Sequence, residues 1–296
     1  MPKFDRALAG GKAISGGSLA PRSRRGNTNQ TDAYWRGGSA SNAPATVEYL
    51  VIAGGGSGTT VAGGGGGAGG YRTSASFAVS SGTPLTVTVG GASANSVFST
   101  ITATAGGNGS GGSGGSGGGA YGADGASVGS GNTPSVSPSQ GNNGGSGAGV
   151  IAGRSRAGGG GGGAGSVGGS NSGETSGNGG SGSSSSINGV ATSRAGGGGG
   201  GSFTEYAGGG SASSGGGASG FPGANGTANT GGGGGAGSVY LHIQGAAGTG
   251  GSGLVIIAYP ISFDAAVATT GSPTIDTTTR SGYRVYTFTG SGTITF

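Results

Sequence analysis

VEYLVIAGGGSGTT, residues 47–60, joins the two kinds of sequence from which this 296-residue chain is built. Successive side chains point to opposite faces of a strand, and in the first half of this stretch both sets are mostly apolar. Such a strand is expected to be covered on both faces. Ala53 and three glycines follow at once, so the strand is predicted to run directly into a glycine-rich segment.

Glycines after a strand are also typical of nucleotide-binding loops, but this stretch lacks the other features of such a loop. A G-x-G-x-x-G pattern counted from Gly54 places Thr59 at the last glycine position, and poor helix formers follow it. No acid lies between Glu48 and Asp124 to bind a ribose. No lysine lies beyond Lys12 to complete a P-loop. The glycines are therefore expected to serve the structure.

Glycine dominates the composition, with 86 residues, about four times its ordinary share. Only 7% of the residues are charged and 30% are hydrophobic. Chains kept unfolded by charge repulsion combine few apolar residues with high charge, which this chain lacks. Collagen is excluded, because long glycine runs break the every-third-residue pattern and proline is scarce. The chain is either a flexible linker or an ordered structure made from glycine backbone.

The net charge of +5 lies entirely in the first 46 residues. Seven basic residues there are opposed only by Asp5 and Asp32, whereas six arginines balance six acids in the rest of the chain. We interpret residues 1–46 as an extended basic arm that attaches the protein to a partner. Large aromatics and arginine concentrate binding energy at interfaces. The candidate attachment residues are Arg22, Arg24, Arg25, Tyr34, Trp35 and Arg36.

Cysteine is absent, which excludes disulfides and thiolate metal sites. No signal peptide is recognised at the N-terminus, and the longest apolar run, LVIIAY at residues 254–259, is too short to cross a bilayer. We expect synthesis in a cytoplasm and no insertion into a membrane. No cofactor and no metal are expected.

Residues 47–104 and 239–296 carry the period-two pattern that favours strands. In PLTVTVG, residues 84–90, apolar residues alternate with threonine, which is typical of a half-buried antiparallel strand. Residues 105–238 separate the two strand-rich parts. The predicted fold class is therefore all-β, with one antiparallel, sandwich-like domain assembled from both parts and a glycine-rich insertion between them.

The insertion repeats short phrases without a fixed period. SRAGGGGGG occurs at 155–163 and 193–201, and GGGGGAGSV occurs at 159–167 and 231–239, which indicates repeated structural units. We predict that these runs are packed polyglycine helices of the polyproline II type, with three residues per turn and backbone groups that bond to neighbouring helices. Glycine alone lets the backbones approach closely enough. The run at 111–119 is predicted to form one rod roughly 28 Å long.

Segments with more side chains are predicted to form turns at the two ends of this bundle, where loops on a rigid scaffold usually bind partners. These segments are 120–140, 170–194, 202–206 and 218–230. Their aromatic and polar side chains suit recognition of sugars or protein loops. The candidate receptor-binding residues are Tyr121, Asn132, Phe203, Tyr206, Phe221 and Asn225.

The sequence contains no recognisable catalytic motif. His242 is the single histidine and is expected to face solvent or a polar layer from a strand, and the eight acids are widely spaced. Glu174 and Glu205 are the pair left open as a glycosidase-like site, which would need the two carboxylates within about 10 Å. Loop carboxylates are usually only solvated, so the protein is predicted not to be an enzyme.

The phrases VEYLVIAGGG, PLTVTVGG, GSGLVIIAYP and YRVYTFTGSGTITF resemble the glycine-rich domain of bacteriophage tail-fibre proteins, over roughly residues 46–296. The interior is similar in style to the receptor-binding adhesins at phage fibre tips, in which packed polyglycine II helices present variable loops to the host. By this resemblance the helices would be the glycine runs at 63–67, 111–119, 158–163, 196–201 and 231–235.

The resemblance implies a virion protein, and two roles stay open. In the first, the protein is a tail fibre or fibre-tip adhesin that binds a host-surface glycan or an outer-membrane protein. In the second, it is a non-adhesive decoration or fibre-base protein, held to other tail or fibre proteins by residues 1–46. A homotrimer stays open in both roles. No nucleic acid is expected as a partner, because the basic residues of the arm form a diffuse patch.

Overall fold

Strands from the two ends of the chain combine in this fold. The computed structural model describes residues 42–151, 155–203, 209–240 and 243–296. Residues 1–41 of the predicted arm lie outside these ranges, and Ala43–Phe296 forms one compact unit. The described residues contain sixteen strands, all paired antiparallel, and no α-helix, which confirms the all-β prediction. No described residue belongs to a helix that could span a bilayer.

The first sheet has five strands, and its centre joins the two ends of the chain. The strands are β1 (Thr46–Ile52), β2 (Tyr71–Ala78), β12 (Leu254–Pro260), β14 (Thr274–Asp276) and β15 (Tyr283–Phe288). Their order is β14, β15, β12, β1 and β2. β1 precedes the glycine-rich part of the chain and β12 follows it, and the two strands pair with Leu50 opposite Ile256.

The second sheet also has five strands and lies against the first. Its strands are β3 (Pro84–Thr88), β4 (Ser96–Phe98), β5 (Ile101–Ala103), β13 (Ala268–Thr269) and β16 (Gly292–Thr295). Their order is β13, β16, β3, β4 and β5. Three short hairpins lie elsewhere. They are β6 (Ala148–Ile151) with β7 (Ser155–Ala157), β8 (Ser183–Ser185) with β9 (Thr192–Arg194), and β10 (Val239–Tyr240) with β11 (Ile243–Gln244).

Apolar side chains fill the space between the two sheets, as in a β-sandwich. Tyr49 of the first sheet packs on Phe98 of the second, with ring centroids 6.0 Å apart. Tyr259 and Tyr286 stack with centroids 5.9 Å apart, and the Tyr259 hydroxyl donates to the Tyr286 hydroxyl at 3.2 Å. Burial raises the pKa of the Tyr259 hydroxyl well above its usual value, so this hydroxyl stays protonated.

The other face of the first sheet is also buried, so the prediction that β1 is covered on both faces is confirmed. Leu50 and Ile52 on this face are fully buried. They pack in one cluster with three alanines of the glycine-rich part, namely Ala68, Ala164 and Ala195. The glycine-rich part is therefore packed directly on the sandwich.

The glycine runs bond to one another with a three-residue period. Within residues 64–70, consecutive N–H groups donate to three different runs, and N–H groups three apart donate to the same run. The pairs are Gly65 and Ala68 to 159–162, Gly66 and Gly69 to 231–234, and Gly67 and Gly70 to 104–107. Three residues per turn and no internal hydrogen bonds characterise the polyproline II conformation.

Carbonyl groups extend the pattern, so that run 64–70 has six bonded neighbours. Its oxygens accept from the further runs 53–59 and 116–119 and from Gly198. Five runs in the described part of the chain each bond to six neighbours in this way. These interior runs are 64–70, 116–120, 158–164, 195–201 and 231–237. We call the bonded runs within 53–70, 104–147, 158–182, 195–203, 209–237 and 245–253 the glycine lattice.

The position of a run in the lattice determines which residue types the run contains. The five interior runs contain only glycine and alanine apart from Ser116. A Cβ added at Gly66 would overlap the Gly56 carbonyl group, and most other interior glycines are similarly enclosed by backbone. The repeated phrases SRAGGGGGG and GGGGGAGSV fall on three of these runs. They repeat because an interior position excludes nearly every side chain.

Serine and asparagine lie in the outer runs, where they bond to backbone N–H groups that have no neighbouring run. Oδ1 of Asn143 accepts from Gly131 N at 2.8 Å, and Oδ1 of Asn178 accepts from Ser211 N at 2.9 Å. The Ser166 hydroxyl accepts from Ser181 N at 2.9 Å in the same way. At the rim of the lattice, these side chains provide the hydrogen-bond acceptors that a neighbouring run provides in the interior.

Hydrogen-bond register defines two ends of the lattice. Ala53 follows β1 and donates to the carbonyl of Gly70, which precedes β2, so this proximal end adjoins the sandwich. Thr59 donates to the Gly64 carbonyl at the opposite, distal end. The proximal turns lie at 114–116, 132–140, 164–166, 183–194, 213–216 and 229–231. The described distal turns lie at 59–63, 109–111, 121–128, 147–151, 155–157, 170–175, 202–203, 220–222 and 238–240.

Two expectations about the insertion are wrong. The segment 111–119 is not one rod, because the chain bends at 114–116, and the residues on either side bond to different neighbours. The segments predicted as turns also contain further outer runs, such as 177–182, whose N–H groups donate into the lattice. Glycine-poor composition therefore predicts too many turns, since the rim positions of a run accept serine and asparagine.

One ion pair ties a proximal loop to the first sheet. Arg280 donates from both terminal nitrogens to the Glu48 carboxylate, at 2.8 and 2.9 Å, and from Nη1 to the Ile187 carbonyl at 3.2 Å. Its guanidinium lies 3.5 Å from the Tyr283 ring centroid. The hydrogen bond to Glu48 raises the pKa of Arg280. The β8–β9 loop, which contains Ile187, is thereby fixed on the sandwich.

We predict that Gly66→Ala destabilises the protein by at least ~3 kcal/mol, because the methyl group would separate bonded runs and leave buried backbone groups unpaired. Gly91→Ala is the matched control, since a Cβ there meets no atom within 4 Å. Denaturant unfolding of both variants measures the difference. Equal stability of the two variants would contradict a close-packed lattice.

Candidate functional site

The distal end of the lattice gathers loops that are far apart in sequence. Phe203 N donates to the Arg156 carbonyl at 3.0 Å, and Val239 N donates to the Ser202 carbonyl at 3.2 Å. Gly149 N donates to Oδ1 of Asp124 at 3.0 Å. These bonds connect neighbouring loops into one surface, which we call the distal surface.

Both phenylalanines that are exposed among the described residues lie on the distal surface. Phe203 and Phe221 are 42% and 45% exposed, and Ile243, in the β10–β11 hairpin, is 60% exposed. Tyr121 is half-buried at the start of a neighbouring distal loop. Large aromatics with one face in solvent are typical of binding surfaces rather than of folding cores.

The distal surface also carries charge of both signs. The Arg156 guanidinium lies 5.9 Å from the centroid of the Phe203 ring, within the range of a cation–π contact. Asp124 and Glu174 lie on two other distal loops, and both are exposed. Asp124 holds the N–H of Gly149, whereas Glu174 makes no hydrogen bond to the residues that the structure describes. Arginine, aromatic and acidic groups at one surface can bind sugars or protein loops by stacking and hydrogen bonds.

The structure brings together three of the six candidate receptor-binding residues. Tyr121, Phe203 and Phe221 lie on the distal surface. Asn132 lies in a proximal turn, and Asn225 lies on the rim. Tyr206 is outside the described residues. The attachment candidates Arg22, Arg24, Arg25, Tyr34, Trp35 and Arg36 are outside them as well.

The two asparagines have local structural bonds. Oδ1 of Asn132 accepts from Val136 N at 3.1 Å, and its Nδ2 donates to the Val136 carbonyl at 3.1 Å. Oδ1 of Asn225 accepts from Thr249 N at 2.9 Å. Asn132 thus shapes a turn beside the sandwich, and Asn225 caps an outer run. An asparagine in a glycine-rich loop carries no sequence signal that separates these uses from ligand binding.

Sequence reasoning did not single out Arg156, Asp124 or Ile243 for the distal surface. Arg156 belongs to the repeated phrase SRAGGGGGG, where the arginine precedes an interior run by two residues. This position just outside a glycine run is the signal that could have identified Arg156, because a residue there must lie at an end of the lattice. The described residues hold no cluster of His, Cys, Asp or Glu suited to a metal ion. Glu205 and His242 lie outside the described residues, so the Glu174–Glu205 pair stays a prediction.

Comparison with known proteins identifies the family. The model of a family described as a glycine-rich domain matches residues 31–260, which is most of the chain. The protein therefore belongs to this glycine-rich domain family. The match begins within the predicted arm and includes Tyr34, Trp35 and Arg36, and it ends at Pro260, before β13–β16. No curated protein and no solved structure matches the chain.

We predict that Asp124→Ala loosens the distal surface locally, because Gly149 loses its acceptor and the β6–β7 hairpin is held less firmly. Tryptic cleavage after Arg156 should become several-fold faster, while the melting temperature stays within about 2 °C. Glu174→Ala, which removes a distal carboxylate without this bond, is the control. Equal cleavage rates in both variants would show that the Asp124 bond does not fix the hairpin.

Proposed function

We propose that the protein is a phage tail-fibre or fibre-tip adhesin, and that its distal surface binds a receptor on the host cell. The observation that carries this proposal is the separation of the two ends. Exposed aromatic side chains from distant loops lie together at the end of the lattice farthest from the sandwich. Loops on a rigid support bind with little ordering entropy, which favours recognition over catalysis.

The composition of the distal surface supports binding to a glycan or to the outer loops of a membrane protein. Phe203 and Phe221 offer ring faces for stacking, and Arg156 adds a donor with several N–H groups. The nearby loops are rich in serine, whose hydroxyls donate and accept. Such a surface needs no cofactor and performs no bond cleavage.

The arm takes the attachment role in this proposal. Its basic and aromatic residues would join the protein to other tail or fibre proteins, so the protein resides in the virion. Ala43, the first residue of the described body, packs against the core between the two sheets, whereas the distal surface lies beyond the lattice. The alternative is a non-adhesive decoration or fibre-base protein, for which the same arm would serve as an anchor.

Competition for adsorption tests the adhesin role. The purified full chain at saturating concentration is expected to block adsorption of particles that carry it to their host. Phe203→Ala together with Phe221→Ala should raise the concentration for half-competition ~30-fold, since each exposed aromatic contributes about 1 kcal/mol at an interface. The matched control is Val167→Ala together with Val190→Ala, two exposed apolar residues away from the distal surface.

The outcomes separate the two roles. Failure of the wild-type chain to compete would reject the adhesin and favour the decoration role, in which particles lacking the protein adsorb normally but assemble poorly. If the double phenylalanine variant still competes like the wild type, the protein is an adhesin, but its receptor-binding site lies outside the distal surface. Loss of competition in the valine control as well would point to a fold defect, which circular dichroism would reveal.

A further inference from the structure

Strand β2 differs from the other sheet edges in the described structure. It is the outermost strand of the first sheet on one side and has eight residues, whereas β14, β13 and β5 at the other three edges have two or three. Proteins usually shorten or block such edges, because open N–H and C=O groups can pair with another strand. β2 contains neither proline nor lysine.

The open part of this edge runs from Tyr71 to Ser74. Tyr71 N donates outward to the Gln140 carbonyl at 2.8 Å. The proximal turn at 132–140 therefore forms a backbone hydrogen bond with the strand only at the first residue of the strand. Alternation along an antiparallel ladder then directs the N–H and C=O of Thr73 outward as well. Farther along, the register shifts between Val47 and Tyr49 of β1, which disturbs the second half of β2.

Two cavities flank this open segment. One of about 360 Å³ lies between the strand and the proximal turn, with Arg72, Thr73, Ser74, Ser137 and Pro138 among its lining residues. The other, of about 230 Å³, shares Thr73 and Ser74 and extends to the Glu48–Arg280 ion pair. An added strand would place alternate side chains into the spaces on either side of the edge.

Charge defines what the larger cavity would accept. Arg72 is the one ionisable cation among the residues that line it, and no acid lines it. Among the described residues, the Arg72 guanidinium makes one long hydrogen bond, 3.4 Å to the Thr102 carbonyl, and no ion pair. In the smaller cavity, by contrast, Arg280 is already paired with Glu48. A carboxylate is therefore the group that the larger cavity lacks.

We propose that β2 is a docking edge for an extended, acidic peptide segment of a partner protein, which adds a strand beside Tyr71–Ser74 and places a carboxylate against Arg72. Main-chain hydrogen bonds to Thr73 would supply affinity, and the Arg72 contact would supply selectivity. This edge lies beside the proximal end of the lattice, away from the distal surface. The site is therefore separate from the proposed receptor-binding role and does not depend on it.

A short peptide of alternating threonine and valine with a central aspartate serves as the probe, and the same peptide with lysine is its control. Nuclear magnetic resonance of the isotope-labelled full chain should give saturable shifts at the amides of Tyr71–Ser74. The aspartate peptide should bind about tenfold more tightly than the lysine peptide. Arg72→Glu should reverse this preference, which a fold defect could not do.

Two changes at one position test the backbone contribution. Thr73→Pro removes the outward N–H, and an edge strand tolerates proline where its N–H faces solvent. Thr73→Ala also removes the side-chain bond to the Tyr49 carbonyl but keeps the N–H. The alanine variant should bind the peptide like the wild type, and the proline variant should lose binding. Absence of shifts with either peptide, unchanged binding by the proline variant, or an unreversed preference in Arg72→Glu would overturn the proposal.

Discussion

The structure depends on one constraint, which is that the backbone groups of the glycine lattice must find partners on other runs. An extended chain with three residues per turn makes no hydrogen bonds within itself. Each N–H of residues 65–70 therefore donates to a neighbour, and bonded neighbours surround run 64–70 on six sides. Such close approach leaves no room for a Cβ at the interior glycines, so most side chains are displaced to the rim and to the two ends.

This displacement links the lattice to function. At the proximal end, alanines fit against the apolar face of the first sheet, and Arg280 fastens a loop to Glu48. At the distal end, neither five-stranded sheet covers the described loops, and Phe203 and Phe221 are exposed. The lattice thus acts as a rigid support that presents the exposed phenylalanines at its distal surface.

Much of the fold could be predicted from the sequence, because its strand segments and its glycine runs each follow a simple physical rule. The alternation in VEYLVIA predicts a strand buried on both faces, and pure glycine runs predict interior positions. The path of the chain could not be predicted in the same way. Glycine has no side-chain pattern that reveals where the chain reverses its direction, so the reversal at 114–116 cannot be seen in the sequence. Each missed reversal places the following loops at the wrong end of the lattice in the prediction. For this reason Asn132 is predicted as a receptor-binding residue although it lies in a proximal turn. The prediction of Phe203 and Phe221 depends only on their aromatic character.

Hydrogen exchange of the individual glycine amides tests the lattice most directly. If the five interior runs are bonded as described, all amides of residues 65–70 and 158–164 should exchange only through global unfolding of the protein. Rim amides whose acceptors are exposed serine or asparagine side chains should exchange sooner. Exchange of the interior glycines at the rates of an unstructured glycine–serine chain would contradict the account and leave the insertion a flexible linker.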